Sequence, residues 1–183
     1  MKKLRSSVEG ILLIALVVSL YFGCQTPCAP LGEVEDSIPG RALKYALDKV
    51  DSPYVWGGQG PSEFDCSGLI IFAYAEALHR THFLIDMDDA LCDDVTMDVL
   101  YKKNVTLVGK EDVQPGDIVF ITNDETKITH GGLFMRWVDE TTIGFINASS
   151  YYGNVVVDTW PLLGTKRDQW IAGFGKLKLR EDS

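Results

Sequence analysis

Residues 66–79, CSGLIIFAYAEALH, constrain the fold more than any other stretch of the chain. Ala73, Ala75 and Ala77 favour a helix, yet apolar side chains occupy nearly every face of it. A helix without a polar face has to be covered all round, so this segment predicts a central, buried helix. GRALKYALDKV (40–50) places Leu43, Ala46, Leu47 and Val50 at helical spacing and predicts an amphipathic partner. DVTMDVLYKK (94–103) predicts one more short helix. The pattern then changes to short β-type runs separated by turn residues: GDIVFIT (116–122), GGLFMRWV (131–138), TIGFIN (142–147), NVVVDTW (154–160) and IAGFGKLKL (171–179). Helices first and strands afterwards predict an α+β fold rather than alternating βαβ units.

The two ends stand apart from this pattern. Lys2, Lys3 and Arg5 form a basic head, followed by the uncharged run ILLIALVVSLYF (11–22). That run is well short of the roughly 20 residues of a membrane span and has the dimensions of an export signal; a buried core helix is the alternative. It ends SLYFGC, which resembles a bacterial lipoprotein signal, in which the cysteine after Gly23 is lipidated and becomes the mature N-terminus. Tyr21 and Phe22 are bulkier than the usual residues there, which leaves cleavage elsewhere or an uncleaved anchor open. The expected organisation is a signal over 1–23, a proline-containing tether over 24–37 beginning at the lipid-bearing Cys24, one folded domain over 38–178, and a tail over 179–183. The expected location is the bacterial cell envelope, tethered to a membrane by lipid rather than by a spanning helix.

Charge narrows the partners. The chain carries 17 basic and 26 acidic residues, a formal charge of −9. Removing 1–23 takes away three basic residues and Glu9, leaving −11. Such a surface repels nucleic acid and anionic headgroups, so neutral or cationic partners are expected. Export also changes the reading of the cysteines. With Cys24 taken by lipid, Cys28, Cys66 and Cys92 remain, and only a Cys28–Cys92 pair would spare Cys66. Nothing in the sequence demands that pair, and Cys92 reads as buried filler.

Cys66 itself lies in EFDCSGLI. A free cysteine is among the most buried residue types, but the neighbourhood points elsewhere. Asp65 is the natural N-cap of the 66–79 helix, which puts Cys66 in the first turn, where the helix dipole lowers a thiol's pKa. Asp65 opposes this as an adjacent like charge, so a base is needed. His79 lies about 20 Å along the same helix at 1.5 Å per residue, out of reach, as is His82. His130, in THGGLFM, heads a strand and can project from a sheet edge toward a packed helix.

YVWGGQGPSEFDCSGLI (54–70), VQPGDIVFI (113–121) and THGGLFM (129–135) together resemble the NlpC/P60 family of cell-wall peptidases. The ordered blocks are Tyr-x-x-Gly-Gly, Asp-Cys-Ser-Gly, Pro-Gly-Asp, and a histidine opening an apolar strand. The resemblance implies a papain-like fold, with the nucleophile helix packed on an antiparallel sheet of about five strands. It implies Cys66 as nucleophile and His130 as general base and later acid, with no metal or other cofactor, in a monomer acting on peptidoglycan peptides. By the same resemblance the bond is γ-D-glutamyl to a diamino acid. Tyr54 matches the family's active-site tyrosine, an oxyanion donor beside the main-chain N–H of Cys66, and Asp65 and Ser67 match positions that contribute to the cleft. Gly57 and Gly58 either allow close backbone approach to substrate or serve the turn.

Where family members most often carry a further histidine, this chain has Asn147 in FINASS. A hairpin turning at Val138-Asp139 pairs His130 directly with Asn147, on one face and roughly 5 Å apart at Cβ. Asn147 could then orient the imidazole, as in Cys-His-Asn peptidases; its other reading is a strand-end residue. DMDDALCDD (86–94) lacks the glycine and glutamate of a calcium loop and reads as a solvated acidic loop. A non-catalytic wall-binding lipoprotein, and an amidase of the same superfamily cutting another wall bond, are the alternative functions.

Overall fold

The structure, a computed structural model, describes residues 36–180. The expected export signal, Cys24 and Cys28 lie outside the described residues, as do nearly all of the expected tether and the last three residues, 181–183. Helix α1 (Ile38–Leu47) starts at Ser37, whose hydroxyl accepts the Gly40 N–H at 3.2 Å, with Pro39 in the first turn. Such a cap contributes about 1 kcal/mol. Its apolar stripe, Ala42, Leu43 and Ala46, is fully buried against helix α2 (Cys66–Leu78). Helix α2 is covered on both sides as its composition requires, by α1 and by the sheet. It ends at His79, which adopts a left-handed conformation at φ 53°.

A two-stranded hairpin, β1 (Leu84–Ile85) and β2 (Leu91–Cys92), carries the acidic loop. Asp86 folds that loop by accepting the N–H groups of Asp88 and Ala90, both at 2.9 Å. Cys92 is a half-buried free thiol. The expected third helix is only one turn, α3 (Met97–Val99), running into a π-helical turn at Leu100–Asn104. The turn is fastened by Asn104, a fully buried side chain exchanging hydrogen bonds with the Ile85 backbone at 2.9 and 2.8 Å.

The main sheet is antiparallel and has six strands, one more than the sequence suggests. The addition is β3 (Val105–Val108), followed by β4 (Ile118–Thr122), β5 (His130–Asp139), β6 (Thr142–Ser149), β7 (Asn154–Pro161) and β8 (Trp170–Leu177). The order is β3-β8-β4-β5-β6-β7. VTLV, with its two middle residues exposed, is too short to stand out from the π turn before it. Strands β4 and β6 and the first half of β5 are buried on both faces, which is why GGLFM and IVFI show no alternation. One face packs Ile118, Phe120, Leu133, Ile146 and Ala148 against the helices. The other packs Val119, Ile121, Phe134, Phe145, Trp160 and Phe174 into an aromatic-rich second cluster.

The Pro-Gly-Asp block is a fold device. Gly116 sits at φ +94° with the Pro39 backbone where a Cβ would stand, a place only glycine can occupy. Asp117, buried, closes the turn by accepting the Gln114 N–H at 2.8 Å.

Candidate active site

The helix wall is built first. Asp65 caps α2 with its Oδ1, which accepts the Gly68 N–H at 2.7 Å and the Ser67 hydroxyl at 3.0 Å. Its Oδ2 accepts the Gly57 N–H at 3.0 Å, so one carboxylate fixes both the helix start and the glycine loop. A Cβ on Gly68 would collide with the Gly58 carbonyl, and one on Gly58 would lie 2.9 Å from the Val55 carbonyl oxygen. The Gly58 carbonyl also accepts the Asp65 N–H at 2.8 Å. Of the two readings open for Gly57 and Gly58, the contacts are those of the turn. These interactions pin Cys66 at the mouth of a cavity of about 130 Å³.

Tyr54, Trp56, Cys66, His130, Asn147 and Arg167 border that cavity. Asp65, Ser67, Gly57 and Gly58 hold the wall from behind it, and the acidic loop 86–94 does not border it. Burial, the Cys66 sulfur once it is a thiolate, and the Asp65 carboxylate raise the Tyr54 pKa, so its hydroxyl stays protonated and able to donate.

The sheet wall differs from the sequence expectation in register but not in outcome. The β5–β6 hairpin turns at Glu140-Thr141, since Asp139 pairs with Thr142. Two irregularities, between Phe134 and Arg136 and between Trp137 and Asp139, then shift the pairing so that Leu133 faces Ile146. Continued to the strand start, this register sets Asn147 beside Gly132, two residues from His130. A two-residue shift keeps both side chains on one face, and the diagonal is within reach: His130 Nε2 lies 3.1 Å from Asn147 Oδ1. Gly132 makes the diagonal possible, because a Cβ there would lie 2.9 Å from the Asn147 Cβ and run into the Ile146 carbonyl.

By register, His130 and Asn147 share the face of Val119 and Ile121, opposite the one on which α2 packs. The cavity forms around the end of β5, where the two faces meet. The double glycine in THGGLFM is the signal for this geometry: two glycines inside a strand mark a close backbone approach. Gly131 takes the helix-side position, and its backbone favours the Cys66 thiolate.

The electrostatics add to the opposition that Asp65 sets against the helix dipole. Burial and the Asp65 carboxylate push the Cys66 thiol up to about 12, against the backbone bonds from Ser67, Cys66 and Gly131 that favour the thiolate. Burial lowers the His130 pKa, the bond to Asn147 raises it, and the Arg167 and Asp158 charges act in opposite directions, Arg167 lowering and Asp158 raising it, for a net fall. At neutral pH the pair rests as thiol and neutral imidazole. The amide oxygen of Asn147 only accepts, so Nε2 holds the ring proton and Nδ1 keeps its lone pair.

The comparisons give the family and the fold. The profile of the NlpC/P60 family matches residues 51–166. Among curated relatives, the probable endopeptidase YafL of Escherichia coli is 29% identical over 51% of this chain and 34% of its own length. The gamma-DL-glutamyl hydrolase of Bacillus subtilis is 28% identical over 62% of this chain and 24% of its own. The chain thus spans about a third or less of these relatives. Among solved structures, NlpC2 of Trichomonas vaginalis superposes with a TM-score of 0.52 at 28% identity, covering 75% of this chain and 46% of that one. A capped helix with a cysteine in its first turn, a strand-leading histidine bonded to the next strand, and a family match spanning both lead to one assignment: the chain belongs to the NlpC/P60 family.

Proposed function

We propose that this protein is a cysteine peptidase that hydrolyses peptidoglycan stem peptides at the γ-D-glutamyl–diamino acid bond. The observation that carries the reading is the His130–Asn147 bond at 3.1 Å, in a cavity that Cys66 also borders. Nδ1 of His130 takes the thiol proton as the Cys66 sulfur attacks the carbonyl carbon. The oxyanion is met by the Cys66 main-chain N–H and the Tyr54 hydroxyl. His130 then returns the proton to the departing amine, and water, deprotonated by the same imidazole, releases the acyl group from sulfur.

The resting thiol gives this cycle a definite character. With the thiol near 12 and the imidazole lowered, proton transfer accompanies attack rather than preceding it. The export signal and Cys24 complete the proposal, with the enzyme held at a membrane by acyl chains in the bacterial envelope. A Cys24→Ala chain should lose metabolic fatty-acid labelling; label retained on that variant removes the lipoprotein part.

Incubating the full chain with purified peptidoglycan and weighing the released fragments by mass spectrometry tests the activity. Fragments ending in γ-D-glutamate, absent with Cys66→Ala, support the reading. Free stem peptides beginning at their first alanine would make the protein an amidase, and an untouched wall would make it a binder.

A further inference from the structure

The chain is acidic overall, at −9, yet one wall of the cavity carries an excess of positive charge. Lys166 Nζ and Arg167 Nη1 share a single carboxylate, Asp158, at 2.8 and 3.2 Å. Burial works to raise the Asp158 pKa, but its bonds to Lys166, the Thr159 N–H and Trp160 outweigh that and hold it below the usual carboxylate value. Asp158 is therefore ionised, and two cations face one anion.

Arg167 is the member of this group that reaches the cavity, beside His130 and Asn147. Its backbone is left-handed at φ 54°, as is that of Asp168 at 61°. The guanidinium lies 4.0 and 4.7 Å from the ring centres of Tyr151 and Tyr152. Nη2 donates to the Tyr152 hydroxyl at 2.6 Å. These bonds engage two of the five N–H donors of a guanidinium, and the stacking holds its plane. A cation ordered in advance loses little freedom when an anion arrives.

The chemistry says which part of a substrate meets it. The base that takes the thiol proton must hand it to the leaving amine, so the amine-side fragment lies against His130. The Arg167 charge acts on that same imidazole. We propose that Arg167 binds a free carboxylate on the residue whose amine departs, and so selects peptides in which that residue is acidic or C-terminal. This deepens the peptidase reading and rests on it. Asn147, which borders the same cavity and is 2% exposed, has a buried Nδ2 without a hydrogen-bond partner among the described residues.

The test uses two stem tripeptides, identical except that the amine-side residue ends in a carboxylate or a carboxamide. The full chain should cleave the acid with kcat/KM roughly ten- to hundredfold above the amide, the worth of a charge-assisted bond. In Arg167→Gln that ratio should fall to within about twofold, whatever the variant's absolute rate, and Arg167→Lys should restore part of it. Equal rates in the unaltered chain, or an unchanged ratio in Arg167→Gln, overturn the inference while the peptidase reading stands. Cleavage of neither peptide overturns both.

Discussion

The two walls of the cavity are built by opposite means. The helix wall is local in sequence: Asp65, Ser67, Gly68 and Gly57 lie within twelve residues of one another, and both Asp65 oxygens are engaged. The sheet wall collects His130, Gly132, Asn147, Asp158 and Arg167 from β5, β6, β7 and the loop before β8, and leaves the Asn147 Nδ2 unpaired among the described residues. The first wall is a finished hydrogen-bond network whose purpose is to hold one sulfur still. The second retains unused donors and an excess cation, the properties of a surface that binds something. Rigidity and recognition are thus divided between the walls, and substitutions should separate them.

The largest effect should come from the sulfur. Cys66→Ala should lower the release of stem fragments on the order of 10⁴-fold or more, with the circular dichroism melt nearly unmoved. Residual turnover of a few per cent would take the nucleophile away from the helix wall altogether. His130→Ala should follow, with a loss on the order of 10²–10⁴-fold in kcat.

Asn147→Ala should cost far less than His130→Ala, since an uncharged amide orients the ring without adding charge, and Asn147→His should keep substantial activity. Gly132→Ala should imitate Asn147→Ala in initial rate while also destabilising the fold by about 1–3 kcal/mol in a urea titration, because the added carbon overpacks β6. If Gly132→Ala melts and turns over like the parent chain, the diagonal contact does not depend on that approach.

A smaller effect concerns Asp65. Its charge helps hold the thiol near 12, so Cys66 should react with iodoacetamide at pH 7 more slowly than an ordinary cysteine. Asp65→Asn, which keeps an acceptor for the cap, should speed that alkylation; a slower reaction would reverse the sign assigned to Asp65. Cys92→Ala in the same protein separates its label from that of Cys66.

The smallest is a shift in pH profile. The catalytic base must be neutral, and burial lowers the His130 pKa in the fold, so the acid limb of kcat/KM should lie below the usual imidazole value of about 6.5. Losing the Asn147 bond, which favours the charged ring, should move the limb lower. Losing Arg167, which disfavours it, should move the limb higher. A limb that ignores both variants would mean that another group controls it.

The same division marks how far the sequence could be read. Central helix α2, its Asp65 cap and five of the six sheet strands follow from patterns a few residues long. Apolar content, a capping residue and turn glycines act through neighbours along the chain, and neighbours are visible in a sequence. Strand β3 escaped because four residues beside a π turn carry too little periodicity. Asn147 was found although the turn of its hairpin was misplaced, since a register in error by two residues preserves the face.

Other properties were decided only by the packed structure. The thiol's pKa depends on how much water burial removes, and that outweighs the helix dipole visible in the sequence. Arg167 gave no signal, because its meaning lies in Asp158, Tyr151 and Tyr152, nine to sixteen residues away, and in a cavity none of them builds alone. Short-range order belongs to the sequence by itself; the electrostatics of a cavity belong to the fold, because charge and desolvation act through space and not along the chain.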